Sequence, residues 1–169
     1  MRGKGCKMKH IGPVINVMIA YYAGDVRRIN HFLKVYGFAK AIGEMEGLDE
    51  STQEIIEIAA LTHDIGIKNS EKKYNSSAGN YQQIEGPPEA KKLLAELGIE
   101  SGVIDRVCWL IAHHHTYTDI QGIDYQILVE ADFLVHFYED DMSIDSVHSA
   151  GGKMFKTLSG KAILNAIYS

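Results

Sequence analysis

Apolar residues along this chain recur at three- and four-residue steps, and no stretch keeps up a two-residue alternation. The first pattern marks helices that bury one face, whereas the second would mark half-buried strands. The spacing predicts helices over about 13–23, 26–45, 51–65, 87–97, 101–115, 122–138, 144–149 and 155–167, with little or no sheet. Within the third, Ile55, Ile56, Ala59, Ala60 and His63 share one face. Asp49 or Ser51 can cap its start, and Ser51 with Glu54 forms a capping-box pair. The expectation is an all-α helical bundle with residues 1–169 as one domain, the core running from about 25 to 141.

One stretch breaks the pattern. Residues 67–86 are rich in Asn, Ser, Gly, Lys and Tyr, and read as a long loop. Such a loop is either a solvated surface segment or a lid over a site, with Lys68, Lys72, Lys73, Tyr74 and Tyr81 available to touch a substrate. Pro87 and Pro88 then open the next helix, and Glu89 falls in its first turn, where an acid suits the dipole.

The candidate chemistry starts at His63 and Asp64, adjacent residues at the end of an apolar helical run. Neighbours on a regular helix point about 100° apart and cannot normally serve one small ligand. A helix that frays toward Gly66 can bring both to one ion. Asp132 interrupts the apolar stripe Ile127, Leu128, Val129, Phe133, Leu134 and Val135. A buried unpaired carboxylate is expensive, so Asp132 requires a cation or donors, either a metal or a partner such as Arg28. His31 lies on an earlier amphipathic helix, and His113, His114 and His115 end a later one. Three histidines there can be metal ligands or plain helix-end capping groups.

The order His31, then His63-Asp64, then the histidine run, then Asp132, on successive helices, resembles the HD-domain superfamily of metal-dependent phosphohydrolases. The resemblance spans about Arg27 to Asp141 and implies that His31, His63, Asp64 and Asp132 hold one divalent ion. It implies that Asp64 is shared with a second ion, with His114, and also His113, among its ligands. In two-metal relatives a histidine precedes a short helix; here Glu85 takes that place, and a carboxylate ligand is expected. The resemblance implies catalytic roles for Asp64, for Lys68 and for His115 facing the substrate, although Lys68 stands one place later than the family's lysine. Arg27 and Arg28, one turn before His31, are further candidates to meet a phosphate. The cofactor implied is one or two divalent ions of Fe, Mn, Ni, Co, Zn or Mg, and the substrate a small phosphorylated compound such as a nucleotide. Two alternatives stay open: a di-iron oxygenase of the same superfamily, and a nucleotide- or metal-binding signalling module without turnover.

Composition narrows the rest. A formal charge of −5 argues against a general binder of nucleic-acid duplexes or membrane surfaces, and leaves room for a homodimer. Two cysteines, Cys6 and Cys108, make no disulfide framework, and a reducing cytoplasm is the natural setting. Cys108, between Val107 and Trp109, reads as a small buried hydrophobe. Residues 2–9 carry four positive charges ahead of an apolar run, as a signal peptide does. Gly12, Pro13 and Asn16 interrupt that run, so a first amphipathic helix with Pro13 near its start explains it better. The tail lysines Lys153, Lys156 and Lys161 are expected on the wet side of a terminal helix. No phosphate-binding loop, dinucleotide fingerprint or serine elbow appears.

Overall fold

The structure, a computed structural model, describes residues 10–169; Cys6 and the basic run at 2–9 lie outside it. Nine helices follow one another among the described residues: α1 (Ile11–Tyr21), α2 (Val26–Glu46), α3 (Glu50–Thr62), α4 (Ile67–Tyr74), α5 (Gly79–Glu96), α6 (Ser101–His113), α7 (Ile123–Glu139), α8 (Ile144–Met154) and α9 (Leu158–Ile167). No strand occurs among them, and no helix is long and apolar enough to cross a membrane.

The bundle is built around α3, which packs on α1, α2, α6 and α7; α2 also packs on α7, and α5 on α6. Its inward residues Ile56, Ile58, Ala59, Ala60 and Leu61 are completely buried, as are Val35, Ala39 and Ile42 of α2 and Ile127 and Leu128 of α7. Each branched aliphatic so buried contributes about 1.5–3 kcal/mol, which sets the register of the helices that carry the polar residues below. Asp49 caps α3, accepting from the N–H groups of Ser51 and Thr52 at 3.0 Å. The Ser51–Glu54 box does not form, because Glu54 turns instead to Nδ1 of His10, 2.9 Å away.

The expected loop at 67–86 is two helices, α4 and α5, joined by a short link at 75–78. Pro87 and Pro88 lie inside α5 rather than at its start, so Glu89 is mid-helix, 3.4 Å from the Asn69 amide. Close approach explains the arrangement. A Cβ on Gly66 would meet the Gln82 carbonyl at 2.6 Å and the Gly86 nitrogen at 2.7 Å, and one on Gly86 would meet Ile111 at 2.5 Å. Two facing glycines thus let α5 lie directly on the turn after Asp64.

At the other end, the fully buried Glu130 accepts from the N–H groups of Lys156 (2.6 Å) and Thr157 (2.9 Å), fastening the break between α8 and α9 to α7. Lys153, Lys156 and Lys161 are all exposed, but only Lys161 lies on the terminal helix; Lys153 is on α8 and Lys156 in the break between α8 and α9. Cys108 is half-buried, with its thiol donating to the Pro87 carbonyl at 3.4 Å.

Candidate metal centre

The α3 helix stops at Thr62, and residues 63–66 form tight turns in which the N–H of Ile65 reaches the Thr62 carbonyl and that of Ile67 reaches Asp64. His63 itself keeps helical dihedrals (φ −54°, ψ −37°), and its ring reaches inward through Nε2 to meet the shorter carboxylate of Asp64. His63 and Asp64 then point to one place, with His63 Nε2 3.4 Å from Asp64 Oδ2. Tyr22 donates to the Asp64 carbonyl at 2.7 Å and Tyr21 to that of Ile65 at 3.3 Å, so α1 pins this turn from outside.

His31 and Asp132 arrive from α2 and α7. His31 Nε2 lies 3.2 Å from His63 Nε2, 3.4 Å from Asp64 Oδ2 and 3.3 Å from Asp132 Oδ1. His63 Nε2 lies 3.5 Å from the same Asp132 oxygen. The outer ring nitrogens are all committed elsewhere: His31 Nδ1 to Glu139 at 2.8 Å, His63 Nδ1 to the Ala60 carbonyl at 2.8 Å, and His114 Nδ1 to the Ile111 carbonyl at 2.7 Å. Acceptors at Nδ1 require a proton there, so in the neutral rings each Nε2 lone pair faces inward. Lys34, 2.7 Å from Glu139, holds that carboxylate in turn.

Convergent lone pairs and carboxylates cannot remain together without positive charge. Asp132 Oδ1 and His114 Nε2 are buried and have no hydrogen-bond partner. Burial opposes ionisation of Asp132, but the close imidazoles of His31 and His63 outweigh it and hold the carboxyl far below its usual range. Asp64 is half-buried, and although desolvation opposes its ionisation it is held low by His63 and His114. Conversely, burial disfavours the charged forms of His31 and His63, yet the two carboxylates raise both. Either protons or a metal ion must supply the charge. Ligand atoms about 2.0–2.2 Å from a shared ion stand roughly 3–3.5 Å from one another, and the separations here fall in that range. The donor set, imidazole nitrogen with carboxylate oxygen and no thiolate, suits borderline first-row divalent ions.

Asp64 has a second partner. Its Oδ1 is 3.5 Å from His114 Nε2, and Asp64, His114 and His115 form another group whose donor atoms lie within 4.8 Å of one another. His115 sits against Gly79, where a Cβ would meet its ring at 2.8 Å, and its Nε2 is 3.1 Å from Gln82 Oε1. Burial and the neighbouring His114 pull its pKa down to about 4, so the ring is neutral at pH 7.

Three other expected residues stand apart. Glu85 joins no such group: Lys73 and Tyr74 donate to its carboxylate at 2.6 and 3.0 Å. His113 points away, stacked on Trp109 with its Nδ1 donating to the Trp109 carbonyl at 2.7 Å. Lys68 is exposed and donates to the Tyr21 carbonyl at 3.0 Å, over that ring. The Arg28 partner suggested for Asp132 is likewise replaced, because Arg28 pairs with Asp25 at 3.1 Å and with Glu71 at 2.5 Å. Two residues were missed. His136, one turn after Asp132, brings Nε2 to 3.4 Å from Asp132 Oδ1, and Glu139 orients His31. The spacing of four from Asp132 was the available signal for His136.

A cleft of about 380 Å³ opens onto this centre, lined by Arg27, Arg28, His31, Asp64, Ser77 and His136 among others. Arg27 is exposed at its mouth with no ion-pair partner among the described residues.

The HD domain family profile matches residues 28–147, most of the chain and every residue of the cluster. The chain belongs to the HD domain family. The structure of a predicted HD superfamily hydrolase from an uncultured Thermotogales bacterium is similar to this HD domain at 20% identity, with a TM-score of 0.67, covering 94% of this chain and 85% of that one. At that identity the likeness speaks for the fold. No curated protein matches the chain. The helical architecture and the HD membership accord with the sequence reading.

Proposed function

We propose that this HD domain is a metal-dependent phosphohydrolase that cleaves a phosphate ester or anhydride of a nucleotide or another small molecule. The observation that carries the reading is the convergence on Asp132 Oδ1, a buried oxygen with no hydrogen bond, of imidazole nitrogens whose outer atoms are already committed. Leaving a buried charge uncompensated costs several kcal/mol, comparable with the gain from an entire core leucine. An ion offsets that cost, and family membership supports one.

His31, His63, Asp64 and Asp132 would hold the first ion, and Asp64, through its other oxygen, would share a second with His114 and His115. A divalent ion there supplies an acidified water at neutral pH and charge to offset that developing on a phosphoryl group. The protein's own groups do the remainder. Glu139, Ala60 and Ile111 fix the three rings in the ligand tautomer. Arg27, free of acid partners among the described residues, meets the phosphate at the cleft mouth, and Ser77 of the α4–α5 link offers a hydroxyl there. Arg28, neutralised by Asp25 and Glu71, builds the wall instead.

The test is phosphate release from a panel of nucleotides and sugar phosphates with each of Mn, Co, Ni, Fe, Zn and Mg. Turnover that disappears in Asp64→Ala is expected. No release from any member with any metal, or oxygen consumption in its place, overturns the reading.

A further inference from the structure

We propose that His136 is an additional metal ligand, entering from the cleft side to complete the sphere around His31, His63 and Asp132. The inference rests on the metal reading above and concerns a residue the sequence pattern did not include.

Three imidazole nitrogens surround Asp132 Oδ1 at nearly one distance: His31 at 3.3 Å, His136 at 3.4 Å and His63 at 3.5 Å. None of them makes a hydrogen bond to that oxygen, which is buried and unpartnered. A histidine serving only to orient Asp132 would aim its N–H at the carboxylate. Here the nitrogens flank the oxygen as donors flank a shared centre. His31, Asp132 and His136 also form a group whose donor atoms lie within 4.8 Å of one another.

Helix geometry supplies the reason. His136 follows Asp132 by four residues on α7, so the two side chains project side by side, and the His136 ring lies 5.0 Å from that of His31. On the far side, His136 Nδ1 faces the Asp140 carboxylate at 3.4 Å, another four residues on. A carboxylate thus stands behind this ring too, farther off than the 2.8 Å hydrogen bond between His31 and Glu139, and Nε2 is turned inward. Unlike the buried His31 and His63, His136 is 42% exposed and lines the cleft, so it can join or leave the ion without disturbing the core.

Cobalt(II) binding to the metal-free full-length protein tests this, read by calorimetric titration and by the visible ligand-field spectrum. His136→Ala should weaken cobalt binding at least tenfold and change the spectrum, while His113→Ala, which alters the ring stacked on Trp109, leaves both as in the unmodified protein. His136→Ala with unchanged affinity and spectrum overturns the assignment. Because His136 is half-exposed, melting of the metal-free variant should match that of the unmodified protein; lower affinity with an unaltered spectrum identifies a residue that positions Asp132 and also overturns the ligand role. Failure of the unmodified protein to bind any metal refutes the underlying centre, whereas binding without phosphate release refutes only the phosphohydrolase reading.

Discussion

One oxygen of Glu139 lies 2.8 Å from Nδ1 of His31, and this contact decides which ring nitrogen of His31 is left for an ion. The carboxylate keeps the proton on the outer nitrogen and makes the inner one a better donor. Glu139→Gln keeps the shape but can present its amide N–H to the ring and favour the wrong tautomer. We predict a loss of about 10–100-fold in metal affinity with little change in the fold, checked by competition with a coloured chelator and by circular dichroism. Undiminished affinity would mean that Glu139 does not orient the ring.

Protons compete with metal at this centre. The metal-free pKa values of His31 and His63 are raised, so their contribution to stability is fully present below about 6.5, the unfolded value, and is lost as pH rises through the raised native values. Asp64, Asp132 and Glu139 are held low, so their contribution is present above about 4 and lost only in acid. His115, lowered to about 4, opposes the histidine pair and costs stability as pH falls below its unfolded value. The metal-free protein should therefore weaken from pH 6 to pH 9, and added metal should raise Tm more at pH 8 than at pH 6. A metal-induced gain that is larger in acid would contradict this.

Gly66→Ala should be costly. The new Cβ would press on backbone atoms of Gln82 and Gly86, which cannot swing aside as a side chain can. Overpacking of this kind typically costs about 1–3 kcal/mol, and here it also pushes α5 off the turn that positions Asp64. Urea denaturation measures the loss, and a variant as stable as the parent would show that the helix contact is looser than described.

Arg27→Ala should raise KM for the phosphorylated substrate roughly tenfold, the effect of about 1.4 kcal/mol of lost binding, without altering metal content. Arg28→Ala should act differently, lowering stability because Asp25 and Glu71 lose their shared partner. Steady-state kinetics beside elemental analysis separates the two.

Most of the helical frame could be read from spacing, because α2, α3, α6 and α7 bury aliphatic stripes of ordinary period. The α4–α5 region could not. Its inward positions include Ser70, Gln82, Glu85 and Gly86, polar or side-chainless residues that give no hydrophobic rhythm. Pro87 and Pro88 also sit mid-helix, where each lacks the N–H for a carbonyl one turn back. Glu85 drew the ligand expectation by its place in the chain, but Lys73 and Tyr74 are close enough to satisfy it. Among the three consecutive histidines, only the end of α6 at His113 decides the outcome: His113 still follows the helix and faces Trp109, while His114 and His115 lie in the turn that faces Asp64. A one-residue difference in a helix boundary cannot be extracted from periodicity.

A cation belongs where His31, His63, Asp64 and Asp132 meet. Crystals soaked in manganese or zinc and measured at that metal's absorption edge test it directly. An anomalous peak is expected within coordinating distance of His31 Nε2, His63 Nε2 and Asp132 Oδ1. A peak at Glu85 instead, or a metal-free centre in crystals that bind the ion elsewhere, would contradict it.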